Sequence, residues 1–188
     1  MGIGFLVAES LIGWKYLFPI PTIGKAYPRA LACPDVPCSE TVRAVESTME
    51  DLQPVSYGTD SSPRHQEVMV SRFDFEETLV HLRRAIADAD LWLIHEINPQ
   101  MFLARGGYSI QPVRQLLYFH PRYVAKMLPI DLASFPEIPL KLVILQTPDG
   151  RVTVRHNTVE SLLGRYPGLS DMVVELSALA RSLLTSVA

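Results

Sequence analysis

Between Asp74 and Arg165 almost every junction between apolar segments carries a cap or turn residue, and this punctuation constrains the fold more than any other feature. Asp74 precedes an apolar stripe at helical spacing, Phe75, Leu79, Leu82, Ile86 and Ala89, and Glu77 completes a capping-box pattern. Glu76, Arg83, Arg84 and Asp88 fall on the opposite, polar face. Leu91–Glu96 reads as a strand. Asn98-Pro99 then opens a helix, because Asn caps well and Pro is tolerated in the first turn, and Gly106-Gly107 stops it. Val113–Phe119 reads as the next strand, and Pro121 starts a helix with His120 at its cap. Leu140–Gln146 is a strongly apolar strand. Thr147-Pro148-Asp149-Gly150 is a turn by composition, and Arg151–His156 returns as the second arm of a hairpin. Asn157, with Glu160 beyond it, reads as the cap of a short helix. Ser170–Ala188 is amphipathic, with Met172, Leu176, Leu179, Leu183 and Val187 on its apolar side. Ahead of these elements, Glu67–Arg72 alternates as a strand does.

Helices placed between the first three strands imply βαβ crossovers and parallel neighbours. The expected fold class is therefore α/β (α+β), with a mixed, mainly parallel sheet, βαβ crossovers, a C-terminal hairpin and packed helices. Residues 1–66 read as an N-terminal apolar and proline-rich extension with a linker, and residues 67–188 as the α/β domain. The 188 residues are 48% hydrophobic and 20% charged, enough apolar side chain for a buried core. The net charge is −3, and Lys and Arg are scattered, which leaves no electrostatic footprint for nucleic acid.

The extension differs in character from the domain. Met1–Ile20 is apolar almost all round, contains Glu9 and Lys15, and ends at Pro19 and Pro21. It lacks the basic start and small-residue end of a secretory signal, and it is marginal in length for a spanning helix. Three placements stay open: packing on the domain or on a partner protein, lying on a membrane surface through Trp14, Lys15 and Tyr16, or spanning as an uncleaved anchor. The expected location is the cytoplasm, with membrane association through residues 1–21 as the alternative. Five prolines between Pro19 and Pro37 imply an irregular path. Ser39–Leu52 reads as a short helix and Gln53–Gln66 as a polar linker or exposed loop. Cys33 and Cys38, separated by Pro34, Asp35, Val36 and Pro37, form no C-x-x-C motif. They read as two unrelated thiols, as a local disulfide, or as zinc ligands, for which no second pair lies near.

Residues 67–165 resemble the bacterial and archaeal family known as domain of unknown function 302. The similarity rests on Phe75-Glu76-Glu77-Thr78-Leu79, Ile94-His95-Glu96-Ile97, Leu117-Tyr118-Phe119-His120-Pro121, Ala125-Lys126-Met127-Leu128, Ile138-Pro139-Leu140, Asp149-Gly150-Arg151-Val152 and His156-Asn157, in that order. The resemblance implies a compact α/β domain, a homodimer, and no settled activity. Two positions depart from the family pattern. His120-Pro121 stands where Asn-Pro is usual, and Asp90 stands where Gly is usual. Asp tolerates the left-handed backbone better than most residues.

Three histidines fall at expected strand ends: His95, His120 and His156. Ligands of open α/β sheets bind outside the carboxyl ends of parallel strands. That rule places His95 and His120 at one shared edge and His156 at the opposite one. His120 is the leading candidate, because a helix N-terminus offers unpaired N–H groups to an anion. Its ligand-binding neighbours would be His95, Tyr118 and Tyr123. The plainer reading makes His120 an N-cap whose ring packs on Tyr118 or Tyr123. Neutral imidazole also ligates metals and haem iron, so His120 and His95 are the candidate ligands for haem or a transition metal. No paired-carboxylate, Walker or zincin pattern occurs. Three classes of function follow: a small-ligand or anion-binding module with its ligand near His120, a haem- or metal-binding protein using His120, and an interaction subunit that docks a partner or membrane through residues 1–21.

Overall fold

The computed structural model describes residues 52–188. The apolar segment 1–21, Cys33, Cys38 and nearly all of the expected Ser39–Leu52 helix lie outside them. A five-stranded sheet holds β2 (Gln66–Val70), β3 (Trp92–Ile97), β5 (Val113–Phe119), β6 (Leu140–Gln146) and β7 (Val152–Asn157) in the order β2-β7-β6-β5-β3. Two short strands, β1 (Gln53–Pro54) and β4 (Tyr108–Ser109), pair separately and in parallel, so the segment read as a linker begins by pairing. The helices are α1 (Phe75–Asp88), α2 (Pro99–Arg105), α3 (Pro121–Met127), α4 (Val159–Leu163) and α5 (Ser170–Thr185), with a 3-10 helix at Leu132–Glu137.

The α/β class holds, but the main sheet is antiparallel at every pairing, against the expected mainly parallel one. Element lengths explain the difference. A parallel crossover must carry the chain back along a whole strand. α1, with 14 residues, is about 21 Å long and can do so. It links β2 and β3, which do run the same way, but at opposite edges with three strands between them. α2 and α3 have seven residues each and reach about 10 Å, half the length of the strands they join. They sit at opposite ends of the sheet, α2 at the Ile97 end and α3 at the Phe119 end, and after each the next strand returns antiparallel.

Local signals act where the sequence places them. Asp74 Oδ1 accepts the Glu77 N–H at 2.8 Å, and Asn98 Oδ1 accepts that of Met101 at 3.2 Å. Thr158, rather than Asn157, caps α4 by accepting the Ser161 N–H at 3.2 Å. Gly107 and Gly150 take φ of 83° and 87°, the left-handed region that a residue with Cβ enters at a cost. Asp90 sits at φ 52°, in the left-handed region that Asp tolerates better than most residues.

The core lies on one face of the sheet. Leu116 and Tyr118 of β5, Leu142 and Ile144 of β6 and Val154 of β7 point the same way by strand alternation, and all are buried. Leu79, Leu82 and Ile86 of α1, Leu163 of α4, and Leu176, Ala180 and Leu183 of α5 cover them. Each fully buried Leu or Ile contributes roughly 2 kcal/mol.

Candidate functional site

His120 caps α3 as a histidine can: its Nδ1 accepts the Arg122 N–H at 3.0 Å. The Trp92 ring meets it edge-on, with centroids 5.4 Å apart. Arg122 reaches back to the Asp90 carboxylate and to Asp90 O at 3.3 Å, and donates to the Tyr123 hydroxyl at 3.2 Å. That hydroxyl in turn donates to Glu175 Oε1 at 2.7 Å. Burial and then the Glu175 hydrogen bond push the Tyr123 phenol above its ordinary value. Tyr118 is buried in the core, and burial pushes its phenol up as well. The rings of Tyr118 and Tyr123 are thus packing residues, and the Tyr123 hydroxyl is already engaged on both sides.

The antiparallel sheet rearranges the histidines. β3 and β5 run in opposite directions, so their carboxyl ends lie at opposite ends of the sheet, against the expected shared edge. His95 is exposed within β3, opposite Leu117, while His120 follows Phe119, the partner of Trp92. Along β5 the two levels differ by about 10 Å. β7 runs the same way as β5, so His156 and His120 share one end of the sheet with β6 between them, the reverse of the expected separation. His156 is buried, with Nε2 3.2 Å from Glu67 Oε2. Among the described residues no group of three or more His, Cys, Asp or Glu side chains converges as metal ligands.

At this same end a cleft of about 350 Å³ opens against β6 and β7. Gln66, Glu137, Lys141, Arg155, His156 and Asn157 are its polar lining, and Pro136, Pro139, Val143 and Leu162 complete it. Lys141, Val143 and Leu145 on β6, with Thr153 and Arg155 on β7, alternate with the core residues and so form the second face of the sheet. Val143 stands directly opposite Arg155. The Glu137 carboxylate is already used: the Tyr166 hydroxyl donates to it at 3.0 Å, and Arg165 lies 3.4 Å away. Lys141 forms no salt bridge among the described residues.

Arg155 also lines a second, neighbouring cavity of about 520 Å³, bounded by Tyr57–Asp60 and by the hairpin residues Thr147–Asp149. Its side chain is only 18% exposed. Nη2 bonds the Asp60 carboxylate and Nη1 donates to Ser61 O at 3.5 Å, while Nε is buried with no hydrogen-bond partner among the described residues. A buried, unpaired donor on a cation, beside a second cation and an open cleft, is an arrangement an anion can complete. Sequence reasoning missed Lys141 and Arg155. Their signal was a cation at an alternate position of a strand, on the face opposite the buried residues Leu142, Ile144 and Val154. None of His95, His120, Tyr118 or Tyr123 lines either cavity.

Fold and cleft together define a small α+β domain, an antiparallel sheet backed by helices on one face and carrying cations on the other. The chain belongs to the family described as domain of unknown function DUF302, whose sequence profile matches residues 66–187. The crystal structure of an uncharacterized conserved DUF302 protein from Bacillus stearothermophilus superposes with a TM-score of 0.62 at 17% identity, covering 67% of this chain and 100% of that one. No curated protein matches the chain. The likeness supports the fold. Among the described residues no helix is long and apolar enough to cross a membrane.

Proposed function

We propose that the domain binds a small anion in the cleft over β6 and β7, with Arg155 and Lys141 as the charged contacts and Gln66 and Asn157 as neutral ones. The observation that carries this reading is the buried Nε of Arg155, without a partner among the described residues, beside a cleft that Lys141 also lines. Charge-assisted hydrogen bonds are about twice as strong as neutral ones, so filling that donor is favourable. The ligand sits at the sheet end that His120 occupies, but on the far side of β6. Titration of the full chain with inorganic phosphate and with succinate, followed calorimetrically, tests it. Binding should weaken at least tenfold in Arg155→Gln and in Lys141→Ala, and persist in His120→Asn. Absence of heat with every small anion would end the proposal.

A second reading concerns association. Trp92, Leu93 and Ile94 are 55%, 37% and 51% exposed on β3, an edge strand of the sheet. An exposed apolar edge is a template for pairing, and a second copy of the chain would cover it as a homodimer. Sedimentation of the wild type and of Ile94→Lys checks this. A dimer that the lysine dissociates is expected, and a monomeric wild type would refute it.

A further inference from the structure

Asp60 engages Arg155 through Nη2 and leaves the adjacent Nε unmet. Arg83 shows the complete contact in the same molecule. Glu96 takes Arg83 Nε at 3.0 Å with one oxygen and Nη2 at 2.8 Å with the other. That parallel fork is the preferred meeting of guanidinium and carboxylate. Asp60 belongs to a strap, Tyr57–Ser61, that reaches Arg155 from a remote part of the chain. Its side chain is 49% exposed, whereas that of Arg155 is 18% exposed, so the Asp60 side chain is the more open of the two to water. At Gly58 of the strap an added Cβ would meet nothing within 4 Å, and next to it the Tyr57 hydroxyl accepts the Gln111 N–H at 2.7 Å.

We propose that Asp60 is an internal stand-in for a carboxylate ligand. The strap covers Arg155 in the free protein and yields when a small organic carboxylate takes Nε and Nη2 together in the fork that Glu96 makes with Arg83. This rests on the anion-binding reading of the cleft and adds to it the ligand class and the element that gives way. Lys141 lies one position along the same face from Val143, the partner of Arg155, so the two cationic residues are separated by about 8 Å at the backbone. Side chains that converge from that spacing suit the two ends of a short dicarboxylate.

The test compares wild type, Asp60→Ala, Asp60→Asn and Arg155→Gln as full chains, titrated with succinate and with inorganic phosphate. Removing the stand-in should tighten succinate binding about tenfold in Asp60→Ala and phosphate binding by clearly less, because phosphate has no second carboxylate for Lys141, and Arg155→Gln should abolish binding. Asp60→Asn keeps the side-chain shape and removes its charge; it carries the same expectation if circular dichroism shows that Asp60→Ala is unfolded. Unchanged or weaker succinate binding in folded Asp60 variants, with wild-type binding still lost in Arg155→Gln, would overturn the stand-in and leave the anion site intact. A gain for phosphate equal to or larger than that for succinate would overturn the carboxylate class. No binding of either anion by wild type or Asp60 variants would sink both readings.

Discussion

Arg83 on α1 closes a two-pronged hydrogen bond on Glu96 of β3, and Arg114 Nε stands 3.7 Å from the same carboxylate. The contact ties the long helix to the edge strand at the end of its crossover. Both partners are part exposed, at 39% and 27%, so solvent screens the attraction. A double-mutant cycle with Arg83→Met and Glu96→Gln, read by urea denaturation, should give a coupling of about 1 kcal/mol. A coupling indistinguishable from zero would mean that the fork orients β3 without stabilising it.

His120 serves α3 as a cap through Nδ1. Its replacement by Ala should cost about 1 kcal/mol, whereas His120→Asn should stay within about 0.5 kcal/mol of wild type, since Asn caps as well. Denaturation curves measure both. Loss of anion binding in His120→Asn, with stability unchanged, would return this residue to the site.

Leu142 lies on the central strand β6 and is fully buried against the helices. Leu142→Ala removes both the transfer energy and the packing around it, and is expected to destabilise by about 2–5 kcal/mol. Val70, half exposed at the end of β2, should tolerate Ala within about 0.5 kcal/mol. Comparable losses at the two sites would contradict the one-sided core.

Asp149 in the hairpin turn accepts hydrogen bonds from the Thr147 hydroxyl and from Arg151, which hold its carboxyl down at about 2 against an ordinary 3.8. A carboxyl depressed by folding stabilises the fold above its unfolded value, and the contribution is lost as pH falls through the folded one. Melting temperature should therefore drop between about pH 4 and pH 2, and Asp149→Asn should flatten part of that slope. A side-chain NMR titration placing Asp149 at its ordinary value would refute the assignment.

Short-range interactions were legible in advance because they span a few residues. The caps Asp74 and Asn98, the glycines that end α2 and turn the hairpin, and the limits of β5 and β6 each follow from residue chemistry at one place. The left-handed Asp90 was readable for the same reason. The cap of α4 was misplaced by a single residue, since Asn157 and Thr158 are both competent caps and the ladder with Gln66 claims Asn157.

What the sequence determined by itself was most of the inventory: the five main strands and the helices, though not the short pair β1 and β4 or the 3-10 helix at Leu132–Glu137, which faces are apolar, and membership in a family of this fold. Strand order and direction were decided only in the tertiary structure, because alternating side chains look alike in parallel and antiparallel strands. The deciding quantity was the length of the connecting helices relative to the strands. That decision moved His156 to the same end as His120 and separated His95 from both. It also placed Arg155 beside Asp60, a partner 95 residues away, and left one guanidinium nitrogen buried and without a partner among the described residues. Contacts at such separations arise from the packing of the whole sheet, so no local pattern announces them.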